Sequence, residues 1–195
     1  MEARLVALAR EGHRGAFAEL VELYKNKIFH LACRMLGNVQ EAEDVVQETF
    51  LRMYEHLSSY DSSRKFSTWL YRIATNLCID RLRRRRQVYS LDAEFAEGEG
   101  MDGHSVLRAG DPGPEETLML TERQRIIIEA VASLPDKYKA AVALKYYQDL
   151  SLQEISDILQ VPVSTVKTRI HRGREYLRRK LEREMAKSGT MHPLF

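Results

Sequence analysis

With 195 residues the chain has room for one medium domain or two small ones, and none for a large multidomain enzyme. Hydrophobic residues at 44% and charged residues at 30% suit a packed globular protein and exclude a disordered or collagen-like one. Thirty Lys plus Arg against 28 Asp plus Glu leave a formal charge of +2, so total charge selects no partner.

No apolar run reaches the roughly 18 residues of a membrane span, and the opening MEARLVALAREGH lacks a signal-peptide core. A cytoplasmic protein is expected. Cys33 and Cys78 are too few for a disulfide framework and lack zinc-site spacing, so both read as small buried hydrophobes.

The first half shows helical periodicity. Phe17, Val21, Tyr24, Ile28, Leu31 and Met35 form one stripe, stopped by Gly37-Asn38. Val39, Ala42, Val46, Thr49, Met53 and Leu57 form a second, ending at Ser58-Ser59. A third runs over about 67–86 with Trp69, Ile73 and Leu77. A bundle of three main helices with a short leading one is predicted for residues 1–86.

Charge then divides the chain. Residues 81–86, RLRRRR, carry five arginines, and residues 163–187 carry nine basic against three acidic residues. Between them, residues 92–122 carry nine acidic residues against Arg108 alone, and five of the ten glycines fall at 98, 100, 103, 110 and 113. Residues 87–113 show neither helical nor alternating period and are predicted to be a flexible acidic linker. The pattern suggests two polyanion-contacting surfaces joined by a tether that avoids the polyanion.

Residues 114–187 form the predicted second domain, with helices over 115–132 and 135–147 ahead of the sharpest local signal, and residues 188–195 form a tail. Ser151 and Glu154 make a capping box opening SLQEISDIL, a short break follows at Gln160-Val161-Pro162, and a second helix begins at 163. This is a helix-turn-helix. Ile155, Ile158 and Leu159 face inward, and Val161, Val166 and Ile170 close over them. Ser164, Lys167, Thr168, His171 and Arg172 then share a polar outward side able to bond base edges and phosphates in a major groove. No segment reads as a strand, so the fold class is all-α.

Each motif also has a plainer reading. The helix-turn-helix could be a hairpin that merely packs, and the arginine run a solvated helix end matched to its dipole. Tyr60, Phe66 and Trp69 around the polar loop 61–65 could be core anchors, or the wall of a pocket for an unstacked base with Asn76 nearby. Glu41, Asp44, Gln47 and Glu48 give the second long helix an acidic face, either solvated or free for a basic protein partner. His30 and Cys33 fall short of the four ligands of structural zinc, and no Walker-type loop, nucleophile elbow or His-Glu-x-x-His pattern occurs. No cofactor, metal or enzymatic activity is expected. A nucleic-acid-processing enzyme would need Asp61, Asp80 or His30 in a metal site, and a stand-alone helix-turn-helix regulator would bind its operator tightly by itself.

Three segments together resemble the extracytoplasmic-function class of RNA polymerase sigma factors, in the branch that answers envelope stress. They are EDVVQETF at 43–50, FSTWLYRIATNLCID at 66–80, and LPDKYKAAVALKYY at 134–147 followed by the helix-turn-helix. The resemblance implies that Glu41, Asp44, Gln47, Glu48 and Leu51 dock on the β′ clamp helices of core polymerase, with the β flap as a further contact. It implies that Asp61, Ser62, Ser63, Arg64, Lys65, Phe66 and Asn76, with Arg81, Arg84 and Arg85, engage the single-stranded −10 element. Ser164, Lys167, Thr168, His171 and Arg172 would face the −35 duplex. It also implies an anti-sigma factor, often anchored in the membrane. A 27-residue linker reaches at most about 90 Å, enough for elements two DNA turns, roughly 70 Å, apart. The two domains are expected to move independently, or to fold together against such an inhibitor.

Overall fold

In the computed structural model the described residues are 1–95, 130–131 and 133–187, and they form seven α-helices and no strand. The helices are α1 (Glu2–Arg10), α2 (Arg14–Leu36), α3 (Val39–His56), α4 (Phe66–Phe95), α5 (Asp136–Tyr147), α6 (Leu152–Leu159) and α7 (Val163–Lys187). A 3-10 turn, Leu57–Ser59, follows α3.

The boundaries follow local chemistry. Gly37 ends α2 with φ +66°, and Asn38 begins α3 by accepting the Glu41 backbone N–H at 2.9 Å. Helices α2, α3 and α4 then bury Leu20, Ile28, Leu31, Met35, Val45, Met53 and Leu70 against one another. The predicted stripes hold with small rotations. Val45 is buried where Val46 is only half-buried, and Phe66, Leu70, Ala74 and Leu77 line the inner face of α4 while Trp69 and Ile73 lie at its edge.

Helix α4 continues to Phe95, through the first nine residues of the predicted linker. Residues 87–95 contain neither glycine nor proline, and extending a formed helix is far easier than nucleating one, so nothing in this stretch stops the helix. The remainder of the linker, most of the predicted 115–132 helix and the tail at 188–195 lie outside the described residues.

The two halves, expected to move independently, are packed on each other. Helix α5 lies against α2, and α6 against α4. Leu144, Leu150 and Ile155 of the second half belong to the same apolar cluster as Leu31 and Leu70 of the first.

Candidate nucleic-acid interface

Local sequence builds the helix-turn-helix. Ser151 caps α6, and Glu154 returns its carboxylate to the Ser151 backbone N–H at 2.9 Å, closing the capping box. Gln160 takes the left-handed conformation, φ +53°, that ends α6, and α7 starts three residues later. Ile155, Ile158, Val166 and Ile170 are buried between the two helices. Ser164, Lys167, Thr168, His171 and Arg172 are all exposed on α7, on the predicted outward side.

The geometry adds residues that the sequence pattern did not single out. Lys137, Tyr138, Ser164, Thr165, Thr168, Arg169 and Arg172 line an open pocket of about 290 Å³ where α5 meets α7. The Arg172 guanidinium, with Lys137 beside it, holds the Tyr138 phenol below its ordinary pKa. Lys137 also lies 5.0 Å from the Tyr138 ring centre. Lys137, Arg169 and Arg172 thus line one pocket, and Lys167 and His171 lie outside its lining. No periodicity links positions 137 and 172, so only the fold brings them together.

In the first half, the loop 61–65 is fully exposed. Asp61 accepts the Ser63 N–H at 3.0 Å, which keeps its carboxyl below the usual range, and the Tyr60 hydroxyl bonds the Arg64 carbonyl. Beneath the loop Phe66 is only 3% exposed, with Tyr60 and Trp69 ring centres at 5.6 Å each, so here Phe66 supports the loop and offers no stacking face. Asn76 is exposed but stands about 15 Å further along α4 than Phe66. The loop and Asn76 are therefore not walls of one small pocket.

The arginine run is largely engaged with carboxylates. Arg81 pairs with Asp44 at 3.2 Å and Arg83 with Asp80 at 3.3 Å. Arg85 reaches Glu41 at 2.6 Å and the Leu36 carbonyl at 3.0 Å. Two residues predicted for polymerase docking thus hold two predicted for DNA. Glu48 pairs with Arg52, and Gln47 and Leu51 are exposed, Leu51 at 60%. Tyr54, 73% exposed and edge-on to Phe17 at 5.5 Å, extends the α3 face by one turn. Apolar residues at positions 51 and 54 of an otherwise polar face were the available sign of it.

Lys65 crosses between the halves to Glu154 at 2.7 Å. That contact, with the Ser151 bonds, lowers the Glu154 carboxyl from 4.5 to about 2 and raises Lys65. Among the described residues no cluster of three or more His, Cys, Asp or Glu is placed to hold a metal, and no helix is long and apolar enough to cross a membrane.

An all-helical pair of domains, one carrying a capped helix-turn-helix with a cationic outer face, defines a DNA-binding protein. Residues 20–88 match the family model for Sigma-70 region 2, and residues 124–177 that for Sigma-70 region 4. The chain is 52% identical over 172 residues, covering 88% of it and 92% of the relative, to the ECF RNA polymerase sigma factor SigW of Bacillus subtilis (strain 168). It is 35% identical over 185 residues, 92% of it and 93% of the relative, to the RNA polymerase sigma-H factor of Pseudomonas aeruginosa PAO1. The fold is shared with the sigma factor RpoE of Bartonella quintana, solved with the anti-sigma factor NepR, at a TM-score of 0.64 and 21% identity over 85% of this chain and 96% of that one. The chain belongs to the extracytoplasmic-function sigma factors of RNA polymerase.

Proposed function

We propose that the chain confers promoter choice on core RNA polymerase by dividing the work among three surfaces. The α3 face, Glu41, Asp44, Gln47, Glu48 and Leu51 with Tyr54 added, docks on the β′ clamp helices, and the second domain meets the β flap. Helix α7 enters the −35 major groove, where Lys167 and His171 read base edges while Lys137, Arg169 and Arg172 grip a backbone phosphate in the pocket beside Tyr138. The loop 61–65 and, further along α4, Asn76 hold successive bases of the single-stranded −10 element, with Arg84 on the phosphates. RNA synthesis itself stays with the polymerase.

The observation that carries this reading is the union in one chain of a capped helix-turn-helix with its cationic pocket and a separate bundle bearing a polar loop and an acidic, partly apolar face. An anti-sigma factor, membrane-anchored and holding the chain silent at the cytoplasmic side, is the partner suggested by the family. Run-off transcription with core polymerase and a library of genomic promoters tests the reading: initiation at a defined set of starts, dependent on both proteins, is expected. Tight duplex binding by the chain alone, with no initiation after core is added, would instead identify a stand-alone regulator.

A further inference from the structure

The short leading helix α1 is bonded on both sides of the exposed loop 61–65. Val6 is buried, and Leu5 and Ala9 pack on the apolar cluster of the first half, which seats the helix. From its first turn Glu2 accepts the Tyr24 hydroxyl of α2. The Tyr24 ring, 2% exposed, lies edge-on to Phe66 at 5.7 Å, and Phe66 is where the loop ends and α4 begins. From its last turn Arg10 donates to the Ser58 carbonyl at 3.2 Å, three residues ahead of the loop. The Glu2 charge is also felt at the loop. Burial and then Glu2 raise the Tyr60 phenol, and Glu154, with a smaller part from Glu2, raises Lys65.

We propose that Glu2 and Arg10 are positioning residues for −10 recognition: α1 braces the loop 61–65 in the shape that the single strand meets. The loop's own bonds, Asp61 to Ser63 and Tyr60 to Arg64, span two to four residues, so they fix a turn but not where the turn points. An exposed loop keeps much of its backbone freedom unless its ends are held. One that must be ordered by its ligand gives up part of the binding energy, and with it the discrimination, that the contact would supply. The two ties act through neighbours. Arg10 holds the entry to the loop at the Ser58 carbonyl, and Glu2 holds the exit through Tyr24 and Phe66. Without Glu2 the buried Tyr24 hydroxyl loses an acceptor, its ring is drawn toward water, and Phe66 loses the edge it packs on. The inference rests on assigning the loop to the −10 element and adds what sets the loop's shape.

The test uses holoenzyme assembled from core polymerase and variants of the whole chain. It is titrated with a fluorescent single-stranded oligonucleotide carrying the −10 sequence of a start found by run-off transcription, and with the same strand substituted one base at a time. Glu2→Ala and Arg10→Ala should each lower the preference for the parent strand several-fold, while affinity for core and for −35 duplex stays at the wild-type level. Glu2→Gln, whose amide oxygen can still accept the Tyr24 hydroxyl, should restore most of the preference. Tyr24→Phe should show the same loss as Glu2→Ala, and combining the two should cost nothing further, a non-additivity that general loosening of the fold does not produce. On the free chain, with no DNA present, amide hydrogen exchange in Glu2→Ala and Arg10→Ala should quicken over residues 58–65 and not in α3. Unchanged strand preference in these two variants, full additivity with Tyr24→Phe, or exchange that quickens equally across the first half each overturns the brace. The paired substitution Arg64→Ala and Lys65→Ala separates the two levels. If it lowers the preference while the α1 variants do not, the brace alone fails; if it too is without effect, the loop does not read the −10 strand and both readings fall.

Discussion

A Cβ placed on Gly173 of α7 would lie 2.5 Å from Val142 Cγ2 of α5, so the two helices meet there with room for hydrogen only. Val142 is a stiff β-branched residue, 2% exposed, and has little freedom to yield. This close approach sets the spacing between Lys137 and Tyr138 on one helix and Arg169 and Arg172 on the other. Gly173→Ala should therefore destabilise the second domain by about 1–3 kcal/mol, as overpacked cores do. Denaturant unfolding followed through the helix signal measures it, and an unchanged midpoint would mean that the helices can slide apart freely.

Arg172 and Lys167 should fail differently. With Arg172 lining the pocket beside Tyr138, Arg172→Ala should weaken binding about equally on all −35 sequences and reduce the salt-dependence slope by about 1. Lys167→Ala should cost about 1–3 kcal/mol on the preferred element and relax selectivity at one position. Binding titrations of holoenzyme against a −35 substitution series at two salt concentrations distinguish them; a sequence-dependent loss for Arg172→Ala would move that residue out of the phosphate role.

The same contrast between reading and holding applies to α4. Asn76→Ala should impair open-complex formation from duplex promoters while leaving core binding intact, and a pre-melted −10 template should restore much of the loss. Normal opening by the variant removes Asn76 from the strand contact.

Arg85 is expected to matter for folding first. Its bonds to the Leu36 carbonyl and the Glu41 carboxylate tie α4 to the α2–α3 corner, and Arg85→Ala should lower stability by about 1–2 kcal/mol, allowing for side chains about a quarter exposed. Were its part in the −10 contact the dominant one, unfolding would be unaffected and only promoter opening would suffer.

Glu154 gives a pH dependence of known sign. Its folded carboxyl titrates at about 2 instead of 4.5, so between those values the unfolded chain holds more protons and stability rises with pH. The contribution is complete above about 4.5 and is lost as the pH falls toward 2. Glu154→Gln keeps a side chain able to complete the capping box but loses the charge facing Lys65. The stability difference between wild type and this variant should shrink between about pH 5 and pH 3; a difference constant with pH would show that the charge contributes nothing.

What the sequence made legible was local. Gly37-Asn38 and the Ser151–Glu154 pair carry their own hydrogen bonds within three residues, so the helix ends they set are where the spacing places them. The outward side of α7 follows from its period. The pairing of Arg81 with Asp44, the pocket shared by Lys137 and Arg172, and the bond from Gln148 to the Lys27 carbonyl join residues 35 to 121 positions apart, with no repeat or spacing to announce them. Phe66 illustrates the ambiguity of aromatic residues beside loops: composition alone could not say whether it faced a base or the core, and packing against Tyr60 and Trp69 decides for the core in this state.

Three arginines of the RLRRRR segment are matched by the protein's own carboxylates. The end of α4 therefore presents less uncompensated positive charge than its five arginines suggest, while Lys167 and Arg172 on α7 stay exposed.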